Sequence, residues 1–399
     1  MAVRMGQVAT PLTARSSDST LNATTIQNIV LIFGKFGKGW EAMPVKVIGM
    51  IGVAPPQGTT LHVIAGGISP PFIREFAQAH EAAGFDYVLV GYYASSAEGF
   101  NVATYASAHT ETLSYLIAHR PGVVSPTLAA RAAATVDQLS GGRLALHIIV
   151  GNSDADQQRE GDFSPKGERY QRASEYLEVM RKVWMSETPF DHNGQFYRFK
   201  DVFSEARPFQ QPHPPLFFGG SSPEALEMGA RHCDTFAMFG EPLAETAERI
   251  AEFRRMAQAH GRQPRFNVSF RPIIADTEGA AWDKANRILA DLKAGGLPMK
   301  PQDRSAERLV ELARRGDVHD ERLWMPVAGA AAGKGNTSCL VGTPEQVAAA
   351  MLKYYRLGVT SFLIRGFDPL GDVADFGREL IPRLKSGALE IDRELAAAA

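Results

Sequence analysis

Val45-Lys-Val-Ile-Gly-Met-Ile-Gly-Val53 is a short apolar run stopped by Pro55-Pro56. A run of that length between turn formers reads as a buried strand. The segment after it decides the fold. No Gly-x-Gly-x-x-Gly turn leads from the strand into a helix, so the dinucleotide fingerprint of a doubly wound sheet is missing. Ser69-Pro70-Pro71 instead opens a helix, Phe72 to Ala83, with Gly84 as its stop. The pattern then repeats. Strands are predicted at Phe85–Val90, Leu113–Ala118, Gly142–Val150, Pro215–Phe218, Asp234–Met238, Phe266–Ile274 and Ser361–Ile364. Helices fall between them at Pro126–Leu139, Glu168–Trp184, from Pro223, and at Leu243–His260; Thr343-Pro344-Glu345 caps another that runs to Leu357. Eight strands alternating with helices predict a (β/α)8 TIM barrel.

The barrel is expected to span residues 44–386, with residues 275–335 as an insertion or lid between strands 7 and 8. That insertion holds helix-like stretches and a glycine/alanine loop, Val327 to Asn336. Residues 1–43 are rich in Ser and Thr and carry no acid before Asp18. They read as a disordered tail, with a targeting peptide or an early start codon as alternatives. Residues 387–399 read as a C-terminal tail.

Lys and Arg number 42 against 44 Asp and Glu, a net charge of −2, so no global basic field attracts nucleic acid or an anionic membrane. No apolar run approaches the ~20 residues of a membrane helix. Two cysteines, Cys233 and Cys339, make no disulfide framework and lack metal-site spacing, which fits a reducing cytoplasm and no metal.

Barrel chemistry sits at the C-terminal ends of strands. There the clearest signal is Phe217-Phe218-Gly219-Gly220-Ser221-Ser222-Pro223-Glu224. Glycines let backbone approach a ligand, and hydroxyls with free N–H groups at a helix start attract phosphate. A merely well-capped helix is the plain alternative. More specific is Arg120-Pro-Gly-Val-Val-Ser-Pro-Thr-Leu-Ala-Ala-Arg131, continued by Ala134-Thr-Val-Asp137-Gln-Leu-Ser-Gly-Gly-Arg143. With the Gly151 turn, Glu168-Arg169-Tyr170 and the Gly-Gly-Ser-Ser turn in the same order, it resembles the bacterial luciferase-like flavin-dependent monooxygenases. Within them it is most similar to the two-component alkanesulfonate monooxygenases. The resemblance spans about Val45 to Leu384 and is weakest in 275–335.

That resemblance implies reduced FMN (FMNH2) from a partner NAD(P)H-dependent flavin reductase, O2 as cosubstrate, and a homo-oligomer. It places the FMN phosphate at Gly220, Ser221 and Ser222 with Tyr170 beside it, and the ring against Val150 and Gly151. Several reaction-end groups depart from the family pattern. Ser96 stands where the alkanesulfonate enzymes carry a cysteine, Ser269-Phe270-Arg271 replaces Arg-x-His, and Gly366-Phe367-Asp368-Pro369 replaces Gly-Tyr-Pro-His. This argues for the same cofactor and a different substrate; an organosulfonate would be oxidised to an aldehyde and sulfite. A sulfosugar such as sulfoquinovose would suit polar Ser95, Ser96, Glu98 and Asn101. Arg271 and Lys334 are the candidate sulfonate ligands, since an arginine fork matches sulfonate oxygens. Arg365 lies behind the eighth strand, and His119 is expected at the mouth. His62 would sit in the first loop, where a surface role is the plainer reading. Gly329, Gly333 and Gly335 would hinge the lid. A deazaflavin-dependent oxidoreductase and a non-catalytic flavin-binding relative are the alternatives.

Overall fold

The computed structural model describes residues 45–56, 66–151, 153–296, 300–301 and 303–398. The readings of residues 1–43 and of His62 lie outside them. Eight parallel strands form the barrel: β1 (Lys46–Ile51), β2 (Tyr87–Val90), β3 (Ser114–His119), β4 (Leu144–Ile148), β5 (Leu216–Phe218), β6 (Thr235–Phe239), β7 (Arg265–Ile274) and β8 (Ser361–Ile364). Each pairs with the next, and β8 closes on β1 through Lys46 opposite Ser361. All eight were legible as apolar runs, because strands covered on both faces must be apolar throughout.

The helices follow their punctuation. Prolines occupy the first turns of Pro70–Ala82, Pro126–Leu139, Pro223–His232 and Pro344–Arg356. There the missing N–H would have no helical partner anyway. Thr343 and Gln346 form a reciprocal capping box on the last of these. Inside the barrel, Ile48, Leu116, Ala145 and Phe217 pack with Tyr87, Leu89 and Leu363 as a plug beneath the mouth. Outside it, Val88, Tyr115, Leu146, Phe236, Val268 and Phe362 bury the other strand faces under the helices. The Asp137-to-Arg143 half of the long motif is structural. Asp137 has no exposed surface and accepts from Gln210 N and Nε2 at 2.8 and 2.7 Å. Arg143 donates to the carbonyls of Leu113, Ser140, Ser107 and Thr110.

Three features depart from the sequence reading. Residues 275–335 include two helices, Glu278–Ala294 and Arg304–Arg315, and two short strands, Val318–His319 and Leu323–Trp324. Val318–His319 pairs with Leu323–Trp324, and the latter with Cys339–Gly342, which runs parallel to the upper half of β7. The expected glycine/alanine loop begins as a short helix, Pro326–Ala330. Gly333 is no free hinge: at φ +69° it packs so tightly that an added Cβ would run into the Ala306 backbone. Residues 387–398, set apart as a tail, continue the helix Ile381–Ala398; Ala388 and Ile391 are buried, and Asp392 accepts from Tyr355 Oη at 2.7 Å.

Candidate active site

Strand parity builds the site. Side chains alternate with period two, so barrel closure assigns each residue to the interior or to the helix layer. From β3, Leu116, Ala118 and Arg120 face inward; from β4, His147 and Ile149; from β7, Asn267 and Ser269; from β8, Leu363 and Arg365. Together they wall a cavity of about 370 Å³ at the C-terminal ends of the strands. Residues 303–305 and 335–336 of the insertion line it as well.

One end of the cavity follows β5. Gly220, Ser221 and Ser222 line it beside Tyr170 and Val150-Gly151, so all six expected cofactor residues share one wall. Ser222 accepts from Ala225 N as the cap of Pro223–His232 and hydrogen-bonds Tyr170. Burial raises the pKa of the Tyr170 hydroxyl, and that hydrogen bond opposes the rise. Ser221 Oγ lies 2.8 Å from Ser305 Oγ and 3.3 Å from Arg249 Nη2. Arg249 is held in turn by buried Glu241 at 2.8 Å. Lys166 and Arg304 complete a basic rim. Gly151 has φ +84°, and a Cβ there would run into Gln157 Nε2, which donates to Val150 O at 2.9 Å. Here the glycine makes room for its own loop, a reason additional to ligand approach.

The expected catalytic residues are placed differently. His119 points away from the cavity, since its inward neighbours are Ala118 and Arg120. It meets Tyr176 Oη at 2.8 Å under the helix Lys166–Met185, and burial holds its pKa at about 4. Ser96 closes its own turn, donating to Tyr93 O at 2.9 Å. Glu98 caps the helix Gly99–Ser107, and Asn101 donates to it, so neither serves a sugar pocket. Lys334 is partly exposed and does not line the cavity, although Gly335 and Asn336 do. Arg271 shares its strand face with Ser269 as parity requires. It is 1% exposed, however, and its Nε and Nη1 donate to Asn336 O and Gly366 O, both at 2.8 Å, under the Phe367 ring. A guanidinium enclosed by carbonyls and a ring is not offered to a ligand.

At the β8 end the cation that lines the cavity is Arg365. It sits across the barrel from Ser221, against Met50 of β1. One N–H donates to Gly335 O, and its Nε has no partner among the described residues. Burial lowers its pKa to about 10, which leaves it charged at neutral pH. His147 is the other residue missed. Its Nδ1 is buried without a partner among the described residues, and burial lowers its pKa to about 4, so it is neutral in the cavity floor. Alternation in Leu144-Ala-Leu-His147 puts His147 on the face of Ala145, and barrel closure is what turns that face inward. Arg120 lines the wall while bound to Asp156 and Glu160 at 2.6 and 2.5 Å, tying the 151–164 segment to β3. Tyr92 donates to the same Glu160. Among the described residues no His, Cys, Asp or Glu cluster is arranged to hold a metal, and no helix is long and apolar enough to cross a membrane.

The same architecture recurs in solved structures. Riboflavin lyase RcaE, solved with modified FMN and riboflavin, is 20% identical and has a TM-score of 0.70, over 86% of this chain and 92% of its own. DmoA from Hyphomicrobium sulfonivorans is 18% identical at a TM-score of 0.70, over 87% and 88%. An F420-dependent secondary alcohol dehydrogenase solved with an F420-acetone adduct is 17% identical at 0.62, over 86% and 99%. At such identities the likeness is one of fold. The family model described as luciferase-like monooxygenase matches residues 50–361, most of the barrel and both walls of the cavity up to β8. This chain therefore belongs to the luciferase-like monooxygenase family.

Proposed function

We propose that the protein is an FMNH2- and O2-dependent monooxygenase that desulfonates an organosulfonate, a sulfosugar such as sulfoquinovose being one candidate. The observation that carries this reading is a cavity with two polar ends: the hydroxyls after β5 with Arg249 against them, and the incompletely paired Arg365 at β8. The β5 end fits a phosphate. Ser221, Ser222 and Tyr170 offer hydroxyls, Arg249 offers charge, and the N-terminus of Pro223–His232 opens there. The family membership makes FMN the cofactor to expect, with its ring along Val150 and Gly151. When bound, reduced FMN would supply the two electrons that let O2 deliver one oxygen atom to carbon and one to water.

The chain's own residues would orient and shield. Arg365 would hold the sulfonate through a charge-assisted hydrogen bond. The apolar plug beneath the mouth excludes water from below, and the 275–335 insertion would act as the lid. Neutral His147 can exchange a hydrogen bond with a bound ligand without importing charge. In the overall reaction the carbon bearing sulfur gains oxygen and becomes an aldehyde. The C–S bond breaks with its electron pair on sulfur, which leaves as sulfite. A separate NAD(P)H-dependent flavin reductase would supply FMNH2, and a homo-oligomer in the cytoplasm is expected. Sulfite release from alkyl, aryl and sugar sulfonates, with FMNH2 generated in the assay, tests this reading. Anaerobic turnover with a reduced deazaflavin, and none with FMNH2 and O2, would overturn it in favour of a deazaflavin-dependent oxidoreductase.

A further inference from the structure

Asn336 has three features that the proposed reaction leaves unused. It lines the cavity at 4% exposure, yet neither its Oδ1 nor its Nδ2 has a partner among the described residues. Burying an amide donor and acceptor unpaired costs about 1–3 kcal/mol each, so native proteins keep few such groups. Its backbone has φ +53°, in the left-handed region that side chains other than Asn and Asp strongly resist. Finally, the segment is fastened from both sides. Arg271 donates through Nε to Asn336 O and through its backbone N to Ser338 O, both at 2.8 Å. Arg365 holds Gly335 O, and Ser338 Oγ donates to Gly240 O at 2.6 Å. Strain of this kind persists only where the surroundings over-determine it, and it gathers at ligand sites.

We infer that Asn336 reads a hydroxyl on the substrate beside the anionic group held by Arg365, and that Arg271 is the positioning residue that sets the Asn336 amide in place. This rests on the proposed monooxygenase function. The chemistry selects the group. A sulfonate oxygen only accepts, and it suits the unpaired Nε of Arg365. An amide offers a donor and an acceptor together, and a hydroxyl satisfies both. The preferred substrate class is therefore a hydroxylated sulfonate, and a plain alkylsulfonate would leave the amide unpaired. Rejection of analogues that lack the hydrogen-bonding group is the usual strength of such sites. Arg271 touches neither substrate nor cofactor and acts through the Asn336 carbonyl.

The first test needs no substrate. Asn336→Gly relieves the left-handed backbone and deletes both unpaired atoms. Its melting temperature in ligand-free protein should stay within about 2 °C of wild type or rise. A fall of several degrees would show a structural amide and overturn the inference. The second test compares dihydroxypropanesulfonate with propanesulfonate on FMN-loaded enzyme. Wild type should favour the hydroxylated probe by about tenfold or more in kcat/KM, the worth of about 1.4 kcal/mol, and Asn336→Gly should erase most of that preference. Arg271→Lys, which cannot span both carbonyls, should erode the same preference through KM more than kcat. In the Asn336→Gly background it should add nothing further to the preference. Equal use of the two probes by wild type, or a weakened FMN affinity in Asn336→Gly, would overturn the hydroxyl assignment. If wild type releases sulfite neither from these probes nor from the alkyl, aryl and sugar sulfonates of the wider screen, the desulfonation reading fails. Asn336 is then judged by titrating both probes against the FMN-loaded protein, where equal or absent binding refutes it.

Discussion

Ser221 and Ser222 are neighbours in the turn after β5, but the structure gives them different second duties, and this separates ligand binding from folding. Ser221→Ala removes a hydroxyl whose protein partners are Ser305 Oγ at 2.8 Å and Arg249 Nη2 at 3.3 Å, both in a partly exposed wall. Neither partner is stranded, because water reaches the wall and Arg249 keeps Glu241. The folded protein should lose at most about 1 kcal/mol, the ordinary net worth of a neutral hydrogen bond. A bond to a phosphate oxygen is charge-assisted, about 1.5–3 kcal/mol. That weakens flavin binding by about 10- to 150-fold. Ser222→Ala should weaken flavin binding similarly and, in addition, strip the cap that accepts from Ala225 N, a further loss of about 1 kcal/mol of stability. The assay is an anaerobic fluorescence titration with reduced FMN, paired with calorimetry on the flavin-free variants. Affinity should fall in both, and the larger loss of melting temperature should appear in Ser222→Ala. If Ser221→Ala binds reduced FMN as wild type does, the phosphate lies elsewhere and the two-ended reading of the cavity fails.

Other consequences can be measured directly. Arg365→Met should lower kcat/KM on an accepted sulfonate by about 10²-fold, or about 2.7 kcal/mol of transition-state stabilisation, with reduced-FMN affinity kept; full activity would remove Arg365 as the sulfonate ligand. Burial holds His80, His119 and His147 at about 4, below the 6.5 of an unfolded histidine. As pH falls below 6.5 the unfolded chain takes up protons that the native one refuses, so stability declines until about pH 4. Each histidine contributes about 1.4 kcal/mol per pH unit in that window, and denaturant titrations should be flatter in His80→Leu by about a third of the three-histidine slope. Ending the chain at Ser386 removes buried Ala388 and Ile391 and leaves Tyr355 without Asp392, so it should cost several degrees of melting temperature; an unchanged value would mean that this part of the helix contributes nothing.

The sequence alone determined the eight strands, the helix starts and the turn after β5, because each is encoded locally. Apolar runs bounded by Pro and Gly mark strands, and Ser222-Pro223 and Thr343-Pro344 announce helices within a few residues of themselves. The six residues expected around the cofactor lie in one wall for the same reason: their position at the end of a strand or the start of a helix fixes where they sit. The reaction end was decided elsewhere. Buried parallel strands are apolar on both faces, so composition does not say which parity faces inward, and His119 was placed at the mouth when His147 was the inward histidine. Barrel closure settles that parity, and no single strand contains it. Arg271 had the expected parity and still proved unavailable, because its guanidinium is surrounded by carbonyls 65 and 95 positions along the chain. Arg365 came to line the β8 end of the cavity, and Asn336 acquired its unpaired amide, through long-range contacts of the same kind. Such contacts exist only once the insertion has folded over β7 and β8, which is why only the tertiary structure could assign them.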